Sequence, residues 1–438
     1  MIGNAAPLRR PVADCSHYRY HIRMGKKLFL AAILPVLLLG GCAQKEENQA
    51  DAVSGATARR GPPAPVLLER FMPQAMADGI VKIAVLVNMK AGDNSRQFID
   101  GCVAEGRSLG FTVDAFVSNA DEARCRELAA GIAQADYDGL VFSNGFASGK
   151  FKGADDGVVD FSYDILRPVA DRGIQIVTFE ALPYRDGKSI NGLIATFQDD
   201  YHLARLSLET LLAHAGSGGR PLRVIRVGCE PGITFLDRRA WEFDQMVSTG
   251  AIQEAALVRL NDLENPHSAA WEALAALLPR FHEGSLDAVW VPWDEFAAGC
   301  AEALASADRQ DIKMVSIGIS NDDIRLMQSH AKIWLASAAV DPKLAGTVNM
   351  RILAARLAGE TIDASFSFDP QLVKTEDLNP AVNMANISAL MPGWGDGQGL
   401  FDHYQWMKEL KAAGIKYLRI PPPTAAQGET AAQSKAAL

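Results

Sequence analysis

Between residues 79 and 420 the chain alternates short apolar runs with longer stretches whose apolar positions recur at helical spacing. Five runs come first, at 81–88, 111–117, 138–143, 174–180 and 191–197. Five more follow, at 222–228, 256–261, 287–292, 313–319 and 333–338. Each is rich in Val, Ile and Leu and nearly continuous, which is how strands buried on both faces read. Helical stretches lie between them at 95–109, 121–134, 201–214, 237–250, 267–283, 295–306 and 342–358. Asn119 and Asp121 precede the second of these and Asp341-Pro342 the last, as helix-start signals do. Strand–helix alternation implies parallel sheets with right-handed crossovers. The expected fold class is α/β, with two doubly wound parallel-sheet lobes joined by a hinge near residue 198.

The N-terminal pattern is different. Lys26 and Lys27 precede an apolar run from Leu28 to Leu39, followed by Gly40, Gly41 and Cys42. A basic end, a short apolar core and a small-residue cleavage site make a secretory signal. The core is too short to span a bilayer, which takes roughly 20 residues. Leu39-Gly40-Gly41-Cys42 resembles the bacterial lipobox, whose cysteine is lipidated and becomes the first residue. An ordinary secretory signal or a plain anchor are the other readings. With lipidation at Cys42, the rest of the chain lies outside the cytoplasm, tethered to a bacterial membrane by acyl chains.

The signal begins at Met24, so residues 1–23 read as a miscalled extension. The expected division is then 24–41 signal peptide and 42–78 tether. Lobe one takes 79–198 and about 341–365, and lobe two 199–340 and about 366–375. A C-terminal extension, 376–420, and a disordered tail, 421–438, complete the chain. Removing residues 1–41, which hold six basic residues and one acid, leaves 37 basic against 51 acidic residues, a net charge of −14. A nucleic-acid partner needs a basic footprint, and none is legible.

The order of segments resembles the type I periplasmic solute-binding proteins, the ribose-binding-like receptors that feed ABC importers. The resemblance covers about residues 80–375. It rests on Gly101 and Leu109-Gly110-Phe111, on Asp138-Gly139, on the strand Gly173 to Glu180, on Asp199-Asp200, on Asp287-Ala288-Val289-Trp290 with Asp294-Glu295 and Gly299, and on Asp341-Pro342. It implies a monomer that captures a small molecule, sugar-like by default, by hinge closure and delivers it to a membrane permease. A ligand-sensing lipoprotein, or a carrier of a less polar metabolite for a membrane partner, is the alternative.

In open α/β sheets ligands bind beyond the carboxyl ends of the strands, so site residues should follow strands and face a cleft between the lobes. By the resemblance, Glu180 accepts hydroxyl hydrogen bonds and Arg239 forks onto ligand oxygens. Asp199 and Asp200 match a polar pair at the first crossover, though either also suits a helix cap. Asp294 belongs to the matched Asp-Glu pair. Four places depart from the family, the first of them a pair of residues. Asn94 and Ser95 stand where sugar-stacking aromatics are usual, Trp293 for Asn, Ser320 for Asp, and Val340 for Gln. The candidate ligand-binding set is therefore Asn94, Glu180, Asp199, Asp200, Arg239, Trp293, Asp294 and Ser320. The departures put an ordinary hexose or pentose in doubt and leave room for a less polar ligand. Trp290, inside its strand, is expected in the core, and Trp241 and Trp394 in packing or at a rim.

No metal-ligand spacing, nucleophile elbow or phosphate-cradling loop is present, so neither catalysis nor a cofactor is expected. Cys229 ends a strand without a histidine placed to activate it. Right-handed crossovers put Cys102 and Cys125 on opposite faces of one sheet, beyond the roughly 7 Å reach of a disulfide. Four free thiols, Cys102, Cys125, Cys229 and Cys300, are expected. After residue 375, Phe401, Tyr404, Met407 and Leu410 mark one amphipathic helix, 401–413, laid along a lobe or offered to a partner protein.

Overall fold

The computed structural model describes Pro73, Met76 and residues 81–89, 92–144, 162–185, 188–216, 219–229, 234–260, 265–391, 394–395 and 399–414. The N-terminal extension, the signal, Cys42, most of the tether and the C-terminal tail lie outside the described residues. Among the described residues no helix is long and apolar enough to cross a membrane.

All ten expected strands are present. The first lobe holds β1 (Lys82–Val87), β2 (Thr112–Val117), β3 (Gly139–Ser143) and β4 (Gln175–Phe179). A small antiparallel hairpin, β5 (Tyr184–Arg185) and β6 (Lys188–Ser189), precedes β7 (Ile194–Gln198). The second lobe holds β8 (Leu222–Cys229), β9 (Ile252–Leu260), β10 (Ala288–Val291), β11 (Lys313–Ile317) and β12 (Trp334–Ala339). Two further strands, β13 (Ser365–Phe368) and β14 (Gln371–Lys374), complete the sheets. The first sheet runs β13-β7-β4-β3-β1-β2 and is parallel throughout. The second runs β14-β12-β11-β10-β8-β9 and is parallel except at its β14 edge.

The expected helices are α1 (Asp93–Ser108), α2 (Glu122–Gln134), α4 (Asp200–Ala215), α5 (Thr234–Ser248), α6 (Pro266–Leu277), α7 (Asp294–Ser306) and α9 (Pro342–Leu357). Two helices of nine residues, α3 (Ser162–Ala170) and α8 (Asn321–Ser329), escape the sequence pattern because each offers barely two turns of periodicity. Alternate residues of β1 feed opposite cores. Ile83, Val85 and Val87 pack with Cys102 of α1 and with α9, while Ala84 and Leu86 pack with Cys125 of α2. The two thiols are therefore separated by the sheet, and Cys102, Cys125 and Cys300 are free thiols. Helices α1 and α9 approach so closely that a Cβ on Gly101 would lie 2.1 Å from the Lys343 carbonyl oxygen. Gly299 makes the equivalent approach between α7 and α6, 2.1 Å from the His267 carbonyl oxygen.

The chain passes from one sheet to the other after Gln198, returns after Ala339 and crosses again at Asp369-Pro370. Placing the last of these crossings at residue 366 is corrected by β13. Ser365 to Phe368 pairs with Ala195 to Gln198 of the first sheet, because Phe366 and Phe368 need the apolar face beside Phe179. The C-terminal segment crosses once more. Val382, Met384, Ile387, Met391 and Trp394 join the second lobe's core. A four-residue helix, α10 (Ile387–Leu390), lies in this segment. Leu400, Phe401, Tyr404, Met407 and Leu410 pack on the first lobe, the last two from α11 (Gln405–Gly414). The expected helix thus starts at Gln405, and Phe401, with φ 54°, belongs to a turn before it. Glu105 fixes this end, taking Arg351 Nε at 2.6 Å and Lys411 Nζ at 2.6 Å.

Candidate functional site

The lobes meet through residues that follow strand carboxyl ends. After β1, Asp93 opens α1 and its Oδ2 accepts from the backbone N–H of Asn321, which opens α8 after β11, at 3.1 Å. After β7, Asp199 caps α4 by accepting from the His202 N–H at 2.9 Å. Phe197, at the end of the same strand, lies 5.9 Å below the guanidinium of Arg238 on α5.

Asp200 is the centre of the second lobe's share. Its carboxylate is fully buried and holds two arginines. Arg239 Nε donates to Oδ1 at 2.9 Å and Arg238 Nε donates to Oδ2 at 2.8 Å. Arg239 also donates from Nη1 to the carbonyl of Pro292 at 2.6 Å and stacks over Phe235 at 4.8 Å. Two nitrogens of Arg239 and one face of its guanidinium are thereby engaged before any ligand arrives. Arg238, next to Arg239 in the chain, was not among the candidates, yet the same carboxylate holds both. That α5 offers both neighbours to one buried acid is something only the fold reveals.

Glu180 stands opposite on the first lobe. It follows β4 with φ 54°, a backbone conformation that favours glycine and is held here by its surroundings. Its N–H donates to the Thr196 carbonyl at 2.9 Å, and its carboxylate accepts from the Gln198 N–H at 2.5 Å. Burial, and then the charge of Asp200, push the Glu180 carboxyl up to about 7, against the pull of the Gln198 N–H and both arginines. A second acidic group lies on lobe two. Burial and Glu295 raise Asp294 to about 7, and burial and Asp294 hold Asp323 well above the ordinary range.

The remaining candidates divide by what they already touch. Ser320 caps α8, donating to Asp323 Oδ2 at 2.6 Å and accepting from its N–H at 3.2 Å. The Asp294 carboxylate sits against Gly318, whose φ of 97° and missing Cβ make room for it. Trp293 is half-buried, edge-on to Phe235 at 5.6 Å and to Phe296 at 5.1 Å. Phe235 was not singled out from the sequence, where it falls between a strand end and the helix expected from residue 237; the observed helix starts at Thr234 and includes it. Asn94 has a buried Oδ1 without a hydrogen-bond partner among the described residues. Ser95 closes on itself, accepting from the Gly92 N–H at 2.9 Å. Val340 is corrected as a cleft residue. It is buried in the first lobe's core, so the aliphatic that replaces the family's glutamine faces packing, not ligand. Trp290 is fully buried, donating to Ser207 Oγ at 2.9 Å. Trp394 is packed in the second lobe's core, while Trp241 is half exposed against Tyr201. Among the described residues no group of three or more His, Cys, Asp or Glu side chains is arranged to hold a metal ion.

Solved structures share this architecture. The chain is similar to a sugar ABC transporter from Yersinia enterocolitica subsp. enterocolitica, with 31% identity and a TM-score of 0.64 over 78% of this chain and 98% of that one. The chain belongs to the ribose-binding-like solute-binding proteins of ABC sugar transporters. The fold of this solute-binding protein is also that of the 5-methylthioribose transporter solute-binding protein from Thermotoga lettingae, at 23% identity, a TM-score of 0.61, and 76% and 99% of the two chains. A periplasmic ribose ABC transporter from Conexibacter woesei aligns at 15% identity and a TM-score of 0.57 over 71% and 95%. No family model and no curated protein sequence matches the chain. As a member of this group, the protein is a ligand-capturing component of ABC import, and these neighbours are transporter proteins rather than enzymes.

Proposed function

We propose that this solute-binding protein captures a small sugar-like molecule between its lobes by hinge closure and delivers it to the permease of an ABC importer. It does so as a monomer on the outer side of a bacterial membrane, anchored through acylated Cys42. The observation that carries the reading is the opposition of Glu180 to Arg239. One lobe offers an acceptor and the other a guanidinium already fixed by Asp200 and Pro292. Such a pair recognises hydroxyls from two sides and is completed only when the lobes close. Asn94, Trp293 and Asp294 would line the remaining walls, with Asp199, Asp200 and Ser320 holding the frame.

Residues 79–420, purified without denaturation, should bind one small molecule per chain and compact on binding. Calorimetry and small-angle scattering check this, and an unchanged scattering profile at verified saturation would refute hinge closure. Cys42→Ser should abolish labelling by a fatty-acid analogue in cells, and persistent label would remove the lipid anchor from the proposal.

A further inference from the structure

Resting on the reading of the protein as two lobes that part and close, we infer that its C-terminal segment is a strap that limits how far they open. The crossings after Gln198, after Ala339 and at Asp369-Pro370 all belong to β7, β12, β13 and β14, the strands at one edge of each sheet. A hinge at that edge leaves the far strands, β2 and β9, to swing apart. The C-terminal segment joins the lobes a fourth time, and it is pinned on both. On the second lobe, Val382, Met384, Ile387, Met391 and Trp394 lie in the core. The Met384 N–H donates to Asn321 Oδ1 at 2.8 Å, and Gln328 Nε2 donates to the Asn379 carbonyl at 2.6 Å. Both of those partners are on α8. On the first lobe, Arg351 Nη1 donates to the Leu400 carbonyl at 3.0 Å, and Phe401 meets Phe366 of β13 edge-on at 5.3 Å. Met407 and Leu410 are fully buried there, and Lys411 Nζ reaches Glu105 at 2.6 Å.

Six peptide units separate Trp394 from Leu400. However they are drawn out, they reach at most about 22 Å. Opening beyond that reach must pull Trp394 from one core or strip Leu400 from Arg351 at the other. The first exposes apolar surface to water, and the second takes an acceptor from a buried guanidinium. The two anchors therefore act as stops. The strap also bears on the cleft, because Asn321, which holds Met384, is the residue whose N–H reaches Asp93 of the first lobe. It thus fixes the second lobe's side of a contact that opening would have to break. An open state confined in this way has less freedom to lose on closing, which is how preorganisation raises affinity.

The test measures the distance between the lobes in the full chain. Nitroxides are attached to p-acetylphenylalanine placed at Ala123 and Ser268, both exposed, in the first turns of the helices after β2 and β9. Any retained ligand is removed by dialysis in denaturant and refolding, and double electron–electron resonance reads the distance distribution. Ten glycine and serine residues inserted before the exposed Gly399 should move the distribution outward by at least about 5 Å, a small share of the roughly 30 Å such an insertion can span. Leu410→Ala loosens the first-lobe anchor at unchanged chain length and should move it the same way by less. The insertion decides where it folds, as its melting transition shows, and Leu410→Ala decides where it does not. A wild-type distribution spread over open and closed separations, unmoved in the deciding variant, overturns the strap and leaves hinge closure standing. One narrow wild-type distribution that the deciding variant does not move removes hinge closure as well.

Discussion

Asp93 and Asn321 join the two lobes across the cleft: the Asp93 Oδ2 accepts the backbone N–H of Asn321 at 3.1 Å, although 228 residues separate them. Asn321 in turn accepts the Met384 N–H on its side chain, so the C-terminal segment sets the position of the same helix start. If the lobes part as the proposed hinge motion requires, this contact is one that opening would have to break.

Asp93→Ala should lower ligand affinity by about three- to tenfold through faster dissociation. That is less than the roughly 1.5–3 kcal/mol of a charge-assisted hydrogen bond, since the Asp93 side chain is partly exposed. The melting temperature of the ligand-free protein should change little. Stopped-flow release and calorimetry check this, and an unchanged dissociation rate would show that the contact does not hold the lobes closed.

Asp200→Ala should damage both stability and binding. It leaves Arg239, almost completely buried, without its ion-pair partner, and breaking a buried pair from one side costs about 3–5 kcal/mol. Arg239→Ala should likewise destabilise the empty protein, since it leaves Asp200 with one cation and the Pro292 carbonyl without its donor. Denaturant midpoints of the ligand-free variants are the measurement. If Asp200→Ala keeps the wild-type midpoint and loses only affinity, the carboxylate acts on the ligand and not on the arginines.

The pH dependence follows from Glu180. Its ordinary value is 4.5 and its value in the folded protein is about 7. Between the two the native state holds more protons than the unfolded chain, so this group lowers stability as pH rises through that window. Each pH unit costs less than about 1.4 kcal/mol, because the side chain is partly exposed. Glu180→Gln should therefore gain stability relative to wild type between pH 5 and pH 8, with no further relative change below 4.5. Asp294→Asn should behave in the same direction, its ordinary value being 3.8 and its folded value about 7. Parallel melting curves at pH 5, 6, 7 and 8 decide it, and a constant offset across the range would contradict the raised carboxyl.

Glu105 ties the C-terminal segment to the first lobe. Its carboxylate holds Arg351 at 2.6 Å and Lys411 at 2.6 Å, and Arg351 also donates from Nη1 to the Leu400 carbonyl at 3.0 Å. Glu105→Ala should cost about 3–5 kcal/mol, leaving a buried arginine without its carboxylate. Hydrogen exchange should rise first in residues 399–414. Uniform exchange with no local increase would mean that Met407 and Leu410 hold this segment without the ion pairs.

The sequence by itself determined the layers and their order. Strands buried on both faces must be apolar throughout, so all ten were visible, and the alternation of strand and helix fixed parallel sheets with helices on both sides. It also placed Cys102 and Cys125 on opposite faces, because crossover handedness is a property of the chain. Glu180 and Arg239 were legible as candidates because strand ends are where such a fold presents polar groups. What only the tertiary structure decided was the partner of each group. Asp199 and Asp200 are neighbours with the same chemistry, yet one caps a helix and the other holds two arginines, because successive residues at a helix start point in different directions. Val340 and Trp293 both follow strands, yet one turns into a core and the other stays half-buried beside Phe235. The edge strands β13 and β14 have short, mixed patterns that gain meaning only from the edges they pair with. The C-terminal segment packs on both lobes for a like reason: Trp394 and Met407 each need an apolar surface, and the surfaces they find belong to different sheets.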